Sequence, residues 1–181
     1  YMLLLMILLT IGGCKQANNI EESKFKLLES SQKVKMTILQ YNVENLFDTK
    51  DDFHTLDDDY TPNGSKKWTP KRYQNKLSRL AKTIGKIGRE STGLPPVLVG
   101  VAEVENGKVV RDLLATDPLN TYNYHYVHYD SPDERGIDNA LLYNKDNFEV
   151  ISSEAIPLLI HNDNGQRDTT RDILYVNGIL N

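Results

Sequence analysis

Between Val34 and Phe47 the chain alternates, with Thr37, Leu39, Tyr41 and Val43 on one side and Met36, Ile38, Gln40 and Asn42 on the other. That period of two predicts a strand with two unlike faces and sets Asn42 on the side of Ile38, a face expected to be buried. Thr69-Pro70 gives an N-cap followed by proline at the first helical position. Tyr73, Leu77, Leu80, Ile84 and Ile87 then recur at intervals of four, three, four and three. They predict an amphipathic helix running to about Gly88. After Pro95-Pro96, the stretch Val97 to Ala102 is apolar without interruption and stops at Glu103, as in a strand covered on both faces. Strand-like runs follow at 122–129, 137–143, 148–151 and 173–177, with a short helix over 109–115. One helix followed by several β-runs predicts an α/β layered fold. Residues 48–67 are acidic and rich in turn formers, with no packing pattern of their own. They read as a long loop, of the kind that is often functional or mobile. There is no internal repeat and no low-complexity tract.

The first 33 residues follow a different pattern. Residues 1–13, YMLLLMILLTIGG, carry no charge and are almost wholly apolar, yet they are much shorter than the roughly 20 residues that span a bilayer. They read as the apolar core of a secretion signal peptide. Ile11-Gly12-Gly13-Cys14 resembles the lipobox of bacterial lipoproteins, in which the cysteine becomes the lipid-bearing first residue. Cys14 is the only cysteine, so no intrachain disulfide or cysteine-based zinc cluster is available. Residues 14–33 are polar and weakly patterned, a lipid-anchored tether, and residues 34–181 form the folded part. The chain begins at Tyr1 without a methionine or a basic flank, and it reads as cut at its front.

Composition changes this picture little. Twenty-one Lys and Arg against 25 Asp and Glu give a net charge of −4, with 39% hydrophobic residues, the balance of one globular domain. Mild acidity argues against wholesale wrapping of nucleic acid but leaves room for a local basic stripe. Such a stripe exists: Arg72, Lys76, Arg79, Lys82, Lys86 and Arg89 run beside the apolar side of the long helix. The two readings are a phosphate-facing surface and a solvated outer face. The second is preferred, because nothing in the sequence sets the stripe near a reactive centre.

Three places could carry chemistry. Glu103 stands where an apolar strand ends, and ligands of open α/β sheets bind outside the carboxyl ends of strands. Its buried charge requires a cation, an arginine or water; otherwise it caps the turn at Glu105-Asn106-Gly107. By alternation Glu105 shares its face. Asn42 is a polar amide on an apolar strand. With Glu103 it offers hard oxygen donors suited to Mg²⁺, or it satisfies the backbone of a neighbouring loop. Residues 131–138, SPDERGID, present Arg135 in a tight turn before a strand, suited to bidentate contact with phosphate or to pairing with Asp133 or Glu134. Two other signals are set aside. Residues 59–64 imitate the start of an EF-hand loop, but its twelfth position is Pro70. His54, His125, His128 and His161 lack zinc-ligand spacing, and His125 and His128, three apart in a strand, face opposite sides.

Tyr41-Asn42-Val43-Glu44-Asn45-Leu46-Phe47, Gly100-Val101-Ala102-Glu103-Val104-Glu105-Asn106 and Ser131 through Tyr143, in that order, resemble the endonuclease/exonuclease/phosphatase superfamily, in particular its secreted bacterial members. The resemblance covers about Met36 to the C-terminus. It implies the N-terminal portion of a four-layer α/β sandwich that hydrolyses phosphoesters with Mg²⁺ or Mn²⁺. By position, Asn42 and Glu103 match the family's first two metal-site residues, and Arg135 falls near its phosphate-contacting region. Asp138 and Arg171 lie in family-like stretches without an assigned role. The family's later motifs, a Gly-Asp-x-Asn-like strand end and a terminal Asp-His pair, have no match, since the chain holds neither a Gly-Asp nor an Asp-His dipeptide. The expectation is an incomplete domain that is inactive alone.

The resulting expectation is a lipid-anchored, metal-dependent phosphodiesterase of nuclease-like character. Its substrate is a phosphoester, nucleic acid among the options, and it sits at the bacterial cell envelope on the periplasmic or outer side. The alternative is an inactive envelope lipoprotein that binds a phosphorylated ligand or partner. A structural envelope protein is the third option, and the placement of Asn42 and Glu103 counts against it.

Overall fold

The computed structural model describes residues 34–181. The signal, tether and Cys14 readings, and with them the proposed boundary at residue 33, lie outside the described residues. All but Val34 and Lys35 of the described chain belong to one unit, Met36–Asn181.

Strand β1 (Ile38–Leu46), helix α1 (Pro70–Lys86), a short helix α2 (Arg89–Thr92) and strand β2 (Leu98–Val104) come first. They are followed by helix α3 (Gly107–Leu114) and strands β3 (Tyr124–His128), β4 (Asp138–Asn144), β5 (Phe148–Ile156), β6 (Ile160–His161), β7 (Arg167–Asp168) and β8 (Ile173–Leu180). The main sheet has the order β1-β2-β4-β3. β1 and β2 are parallel, joined through α1, while β4 runs antiparallel to both β2 and β3. The chain thus returns β4 so that its first residue, Asp138, lies opposite Val104 at the end of β2. β5 and β8 form a separate antiparallel pair, and β6 and β7 a two-residue ladder. The α/β class expected from the pattern holds.

The elements form for local reasons. The Thr69 hydroxyl caps α1 by accepting from the Arg72 N–H, and the Asn106 side chain caps α3 by accepting from the Lys108 and Val109 N–H groups. Tyr73, Leu77, Leu80, Ala81 and Ile84 of α1, with Val109, Val110 and Leu113 of α3, pack on Val43, Val99, Val101, Val104, Ala140 and Leu142 of the sheet.

Among the described residues the helices cover one face only, which corrects two expectations. The Asn42 side of β1 is open, with Ile38 66% exposed, because Val43 rather than Asn42 meets the helices. β2 is fully buried on its Val99–Val101 side alone. On its other side Gly100 and Ala102 border a cavity of about 770 Å³, whose opposite wall includes Arg171, Asp172 and Tyr175.

The acidic loop is better anchored than its composition suggests. Tyr60 stacks on Phe47 at 4.2 Å between ring centroids and meets the Trp68 ring edge-on at 6.1 Å. Asp57 is buried and accepts from the Asp52 N–H.

Candidate active site at the strand ends

β1 and β2 end with a shared irregularity. Their pairing is regular to Asn42–Ala102 and resumes at Leu46–Val104. The slack is taken up by Glu44, Asn45 and Glu103, all with left-handed backbone at φ 55°, 61° and 68°. A non-glycine residue held in that region costs about 1–3 kcal/mol, so three at one place require compensation.

It comes from one network. The Asn42 amide donates to Glu103 Oε1 at 3.0 Å, and the Asn45 N–H donates to Glu103 Oε2 at 3.1 Å. Asn42 Oδ1 accepts from the Glu44 N–H at 2.8 Å. Lys76 reaches from α1 and donates to the carbonyls of Glu44 and Asn45, the latter at 3.1 Å.

The sequence-predicted pair is therefore brought together, and the cation that Glu103 required is Arg171, with Nη1 3.8 Å from Oε1. Arg171 stands 68 positions away in the chain. It rides on a segment tied to β4 by the Asn139 amide, which donates to the Asp172 carbonyl at 2.8 Å. Tyr60 lies within electrostatic reach: burial first, then the charges of Glu103 and Asp59, push its hydroxyl above the usual range, and Arg135 pulls it back.

Several sequence expectations change here. Glu105 does not join Glu103. The left-handed turn at Glu103 breaks the strand's alternation, and the Glu105 carboxylate accepts instead from the Asp48 N–H. Burial pushes Glu105 up to about 7, against that N–H and with help from the charges of Asp48, Asp57 and Asp52. The basic stripe is not wholly a solvated outer face, because Lys76 is drawn to the β1 end, where burial lowers its pKa.

Arg135 sits at the same edge but touches neither Asn42 nor Glu103. Its Nε lies 3.4 Å from Asp133 Oδ1, the pairing that the sequence left open, and its side chain is 52% exposed. Its loop is fixed against the acidic loop by the Leu56 N–H, which donates to the Glu134 carbonyl at 2.8 Å. Gly136, at φ 67°, lies so close to Thr55 that a Cβ would meet the threonine methyl at 2.6 Å.

Asp138 gains a role that spacing could not supply. It is buried and accepts from the Ser131 N–H and hydroxyl on Oδ1 and from His128 Nε2 at 2.9 Å on Oδ2. His125 instead lies against Tyr143. His128, Asp130 and Asp138 each offer a possible ligand atom within 4.8 Å of the others. Asp138 nevertheless has three of its about four acceptor positions filled, which makes this cluster an anchor for residues 129–137. Glu103, by contrast, uses two of about four acceptor positions. Asn42 turns its NH2 toward Glu103 and its Oδ1 toward the Glu44 N–H, so the open positions that suit a hard divalent cation are those of the Glu103 carboxylate and the second lone pair of Asn42 Oδ1.

No curated protein sequence matches the chain. Among solved structures, it is similar to the mannosyl-6-phosphatase of Bacteroides thetaiotaomicron VPI-5482, with 16% identity over 67% of this chain and 36% of that one and a TM-score of 0.41. It is also similar to an endonuclease/exonuclease/phosphatase from Bacteroides vulgatus, with 19% identity over 71% of this chain and 38% of that one and a TM-score of 0.40. The chain thus spans little more than a third of the length of these proteins. The family model described as Endonuclease/Exonuclease/phosphatase family matches residues 37–181, nearly everything the structure describes, and the chain belongs to that family.

Proposed function

We propose that the protein is a metal-dependent phosphoester hydrolase, acting as a nuclease-like phosphodiesterase. The observation that carries this reading is the convergence of Asn42, Glu103 and Arg171 on one strand end, in a chain of this family. Asn42 and Glu103 would hold Mg²⁺ or Mn²⁺, which supplies Lewis-acid activation of the phosphoryl oxygens when bound.

The chain's own groups do the rest. Lys76 and the Asn45 N–H hold the strained turn so that the Glu103 carboxylate keeps one orientation. Arg171 stands beside the carboxylate as a positive charge for the non-bridging oxygens of a phosphate. Arg135, half-exposed and on the same edge, is proposed as a second phosphate contact, released from Asp133 when an anion of higher charge density arrives. By the same reading, Cys14 carries a lipid that holds the protein at the bacterial cell envelope.

Glu103→Ala in the intact protein tests the hydrolase reading. Mg²⁺-stimulated cleavage of a phosphodiester should fall at least 10²-fold, as loss of a single charge-stabilising group typically produces. Undiminished Mg²⁺-dependent turnover would remove Glu103 from the site. Ligand binding indifferent to Mg²⁺, with no turnover in the parent protein, would favour the binding lipoprotein.

A further inference from the structure

Helix α1 carries six basic residues, Lys71, Arg72, Lys76, Arg79, Lys82 and Lys86, and no acidic one, in a chain whose net charge is −4. Among the described residues none of the six is paired with a carboxylate. A face that serves only for solubility mixes the two signs, since like charges at helical spacing repel.

Here the charges also converge. Arg72 lies over the Trp68 ring at 5.3 Å from its centroid and Lys76 at 5.6 Å. With Asn75 and Arg79 they line a groove of about 380 Å³. Trp68 is fixed as its floor: it is 7% exposed, and its indole N–H donates to the Phe47 carbonyl at 2.9 Å. The groove borders the candidate site through Lys76, which lines it and also donates to the Glu44 and Asn45 carbonyls, Asn45 being the residue whose N–H binds Glu103.

We infer that this groove binds the phosphate backbone of a chain-like phosphodiester, seating phosphates that flank the one at Glu103. The inference rests on the hydrolase reading for the direction of the chain but not for the binding itself. Arg72 and Arg79 are seven residues apart, about 10 Å along the helix. Charges on one strand of a duplex advance about 3.4 Å each and those of an extended single strand lie further apart, so the groove spans at most about three. Roofed by two cations, the Trp68 ring has no free face for a base. Recognition is of phosphate and indifferent to sequence, unlike sites in which bases stack on aromatic rings. The concave shape and the link to Asn45 favour a strand over the flat anionic surface of a membrane.

Trp68 is the only tryptophan, so its fluorescence reports this groove alone. The test is titration of the intact protein in EDTA at low salt with a single-stranded oligodeoxynucleotide. The expected result is a saturable change in Trp68 emission, with affinities for oligo-dA and oligo-dT within a few-fold. Arg72→Gln/Arg79→Gln should weaken binding at least tenfold and reduce the slope of log K against log salt by about 1.4, at about 0.7 per phosphate contact on a single strand.

Among the described residues Arg79 is exposed and its side chain makes no hydrogen bond or ion pair, so Arg79→Gln alone is the variant chosen to spare the fold. It should still lower the slope by about 0.7. Glu103→Gln should leave the fluorescence response in place, so a failed hydrolase reading would show in the cleavage assay while this binding persists. The inference is overturned by no saturable response, by a response unchanged in the double variant, by equal affinity for free inorganic phosphate, or by a stronger response to vesicles of anionic phospholipid.

Discussion

Replacing Asp138 separates the hydrogen-bonding role of this carboxylate from a mere filling of space. Its Oδ1 takes two donors from Ser131 and its Oδ2 takes one from His128, all on a side chain only 3% exposed. Asp138→Ala leaves these donors without an acceptor. The Ser131 hydroxyl has an alternative, since it already lies 3.3 Å from the Ile137 carbonyl. The Ser131 N–H donates to Asp138 alone among the described residues.

Losing hydrogen bonds to a charged group costs about 1.5–3 kcal/mol each, and the stranded Ser131 N–H, which is partly buried, adds at most about 1 kcal/mol. Since one of the three donors is re-satisfied and the contributions are not additive, the expected destabilisation is about 3–4 kcal/mol. Asp138→Asn is milder. Its oxygen can accept both Ser131 donors while its amide donates to His128 Nε2, provided the imidazole carries its proton on Nδ1. Only the ionic part is then lost, about 1–2 kcal/mol.

Urea unfolding of the intact protein at neutral pH, followed by far-UV circular dichroism, measures both variants against the parent. The expected order is parent, Asn, Ala, with at least about 1 kcal/mol between the variants. Equal stability of parent and Ala variant would refute the reasoning, as would an Asn variant worse than Ala. Because the same carboxylate fixes the loop that carries Arg135, hydrogen exchange of the amides at residues 131–136 should quicken in the Ala variant.

Gly178 pairs with Val150 in the β5–β8 ladder, and a Cβ there would meet Phe148 Cζ at 2.3 Å and the Glu149 carbonyl oxygen at 2.4 Å. The oxygen belongs to backbone and cannot swing aside, so Gly178→Ala should cost about 1–3 kcal/mol through overpacking, read as a lowered midpoint in thermal melting; an unchanged midpoint would show that the strand pair yields freely. At the other end of the chain, Cys14→Ala should move the protein from the membrane to the soluble fraction after ultracentrifugation, because retention there is assigned to lipid chains. Persistence in the membrane fraction after signal cleavage contradicts that assignment.

Local periodicity is a property of neighbouring residues, and what depends on it was readable from the chain. The alternation around Thr37 to Val43, the stripe from Tyr73 to Ile84 and the apolar run before Glu103 placed β1, α1 and β2 correctly, since each pattern states which residues must share a side. Asn42 and Glu103 stood out as candidates for a similar reason: a carboxylate and an amide at the ends of apolar strands differ from their surroundings. Their pairing was suggested by donor chemistry and by resemblance, and their meeting required the parallel pairing of β1 with β2.

Tertiary structure decided the rest. Whether a strand is covered on one face or two depends on how many layers reach it, which the run Val97 to Ala102 cannot encode; here helices cover the Val99 side and leave Gly100 and Ala102 on a cavity. The left-handed backbone at Glu44 and Glu103 carries no signal in residue type, Asn45 alone being a residue that visits this region readily, and the turn is held by bonds to Lys76 of α1 and between Asn42, Asn45 and Glu103 across the β1–β2 pair. Arg171 and Lys76 reach the site from 68 positions after Glu103 and 31 positions after Asn45. His128 and Asp138, ten residues apart on adjacent antiparallel strands, find each other across the β3–β4 ladder. Sequence fixes what each segment can bury, because burial follows a local period; which charge meets which is fixed only when distant segments share a surface, because electrostatic and hydrogen-bond partners are chosen by distance in space.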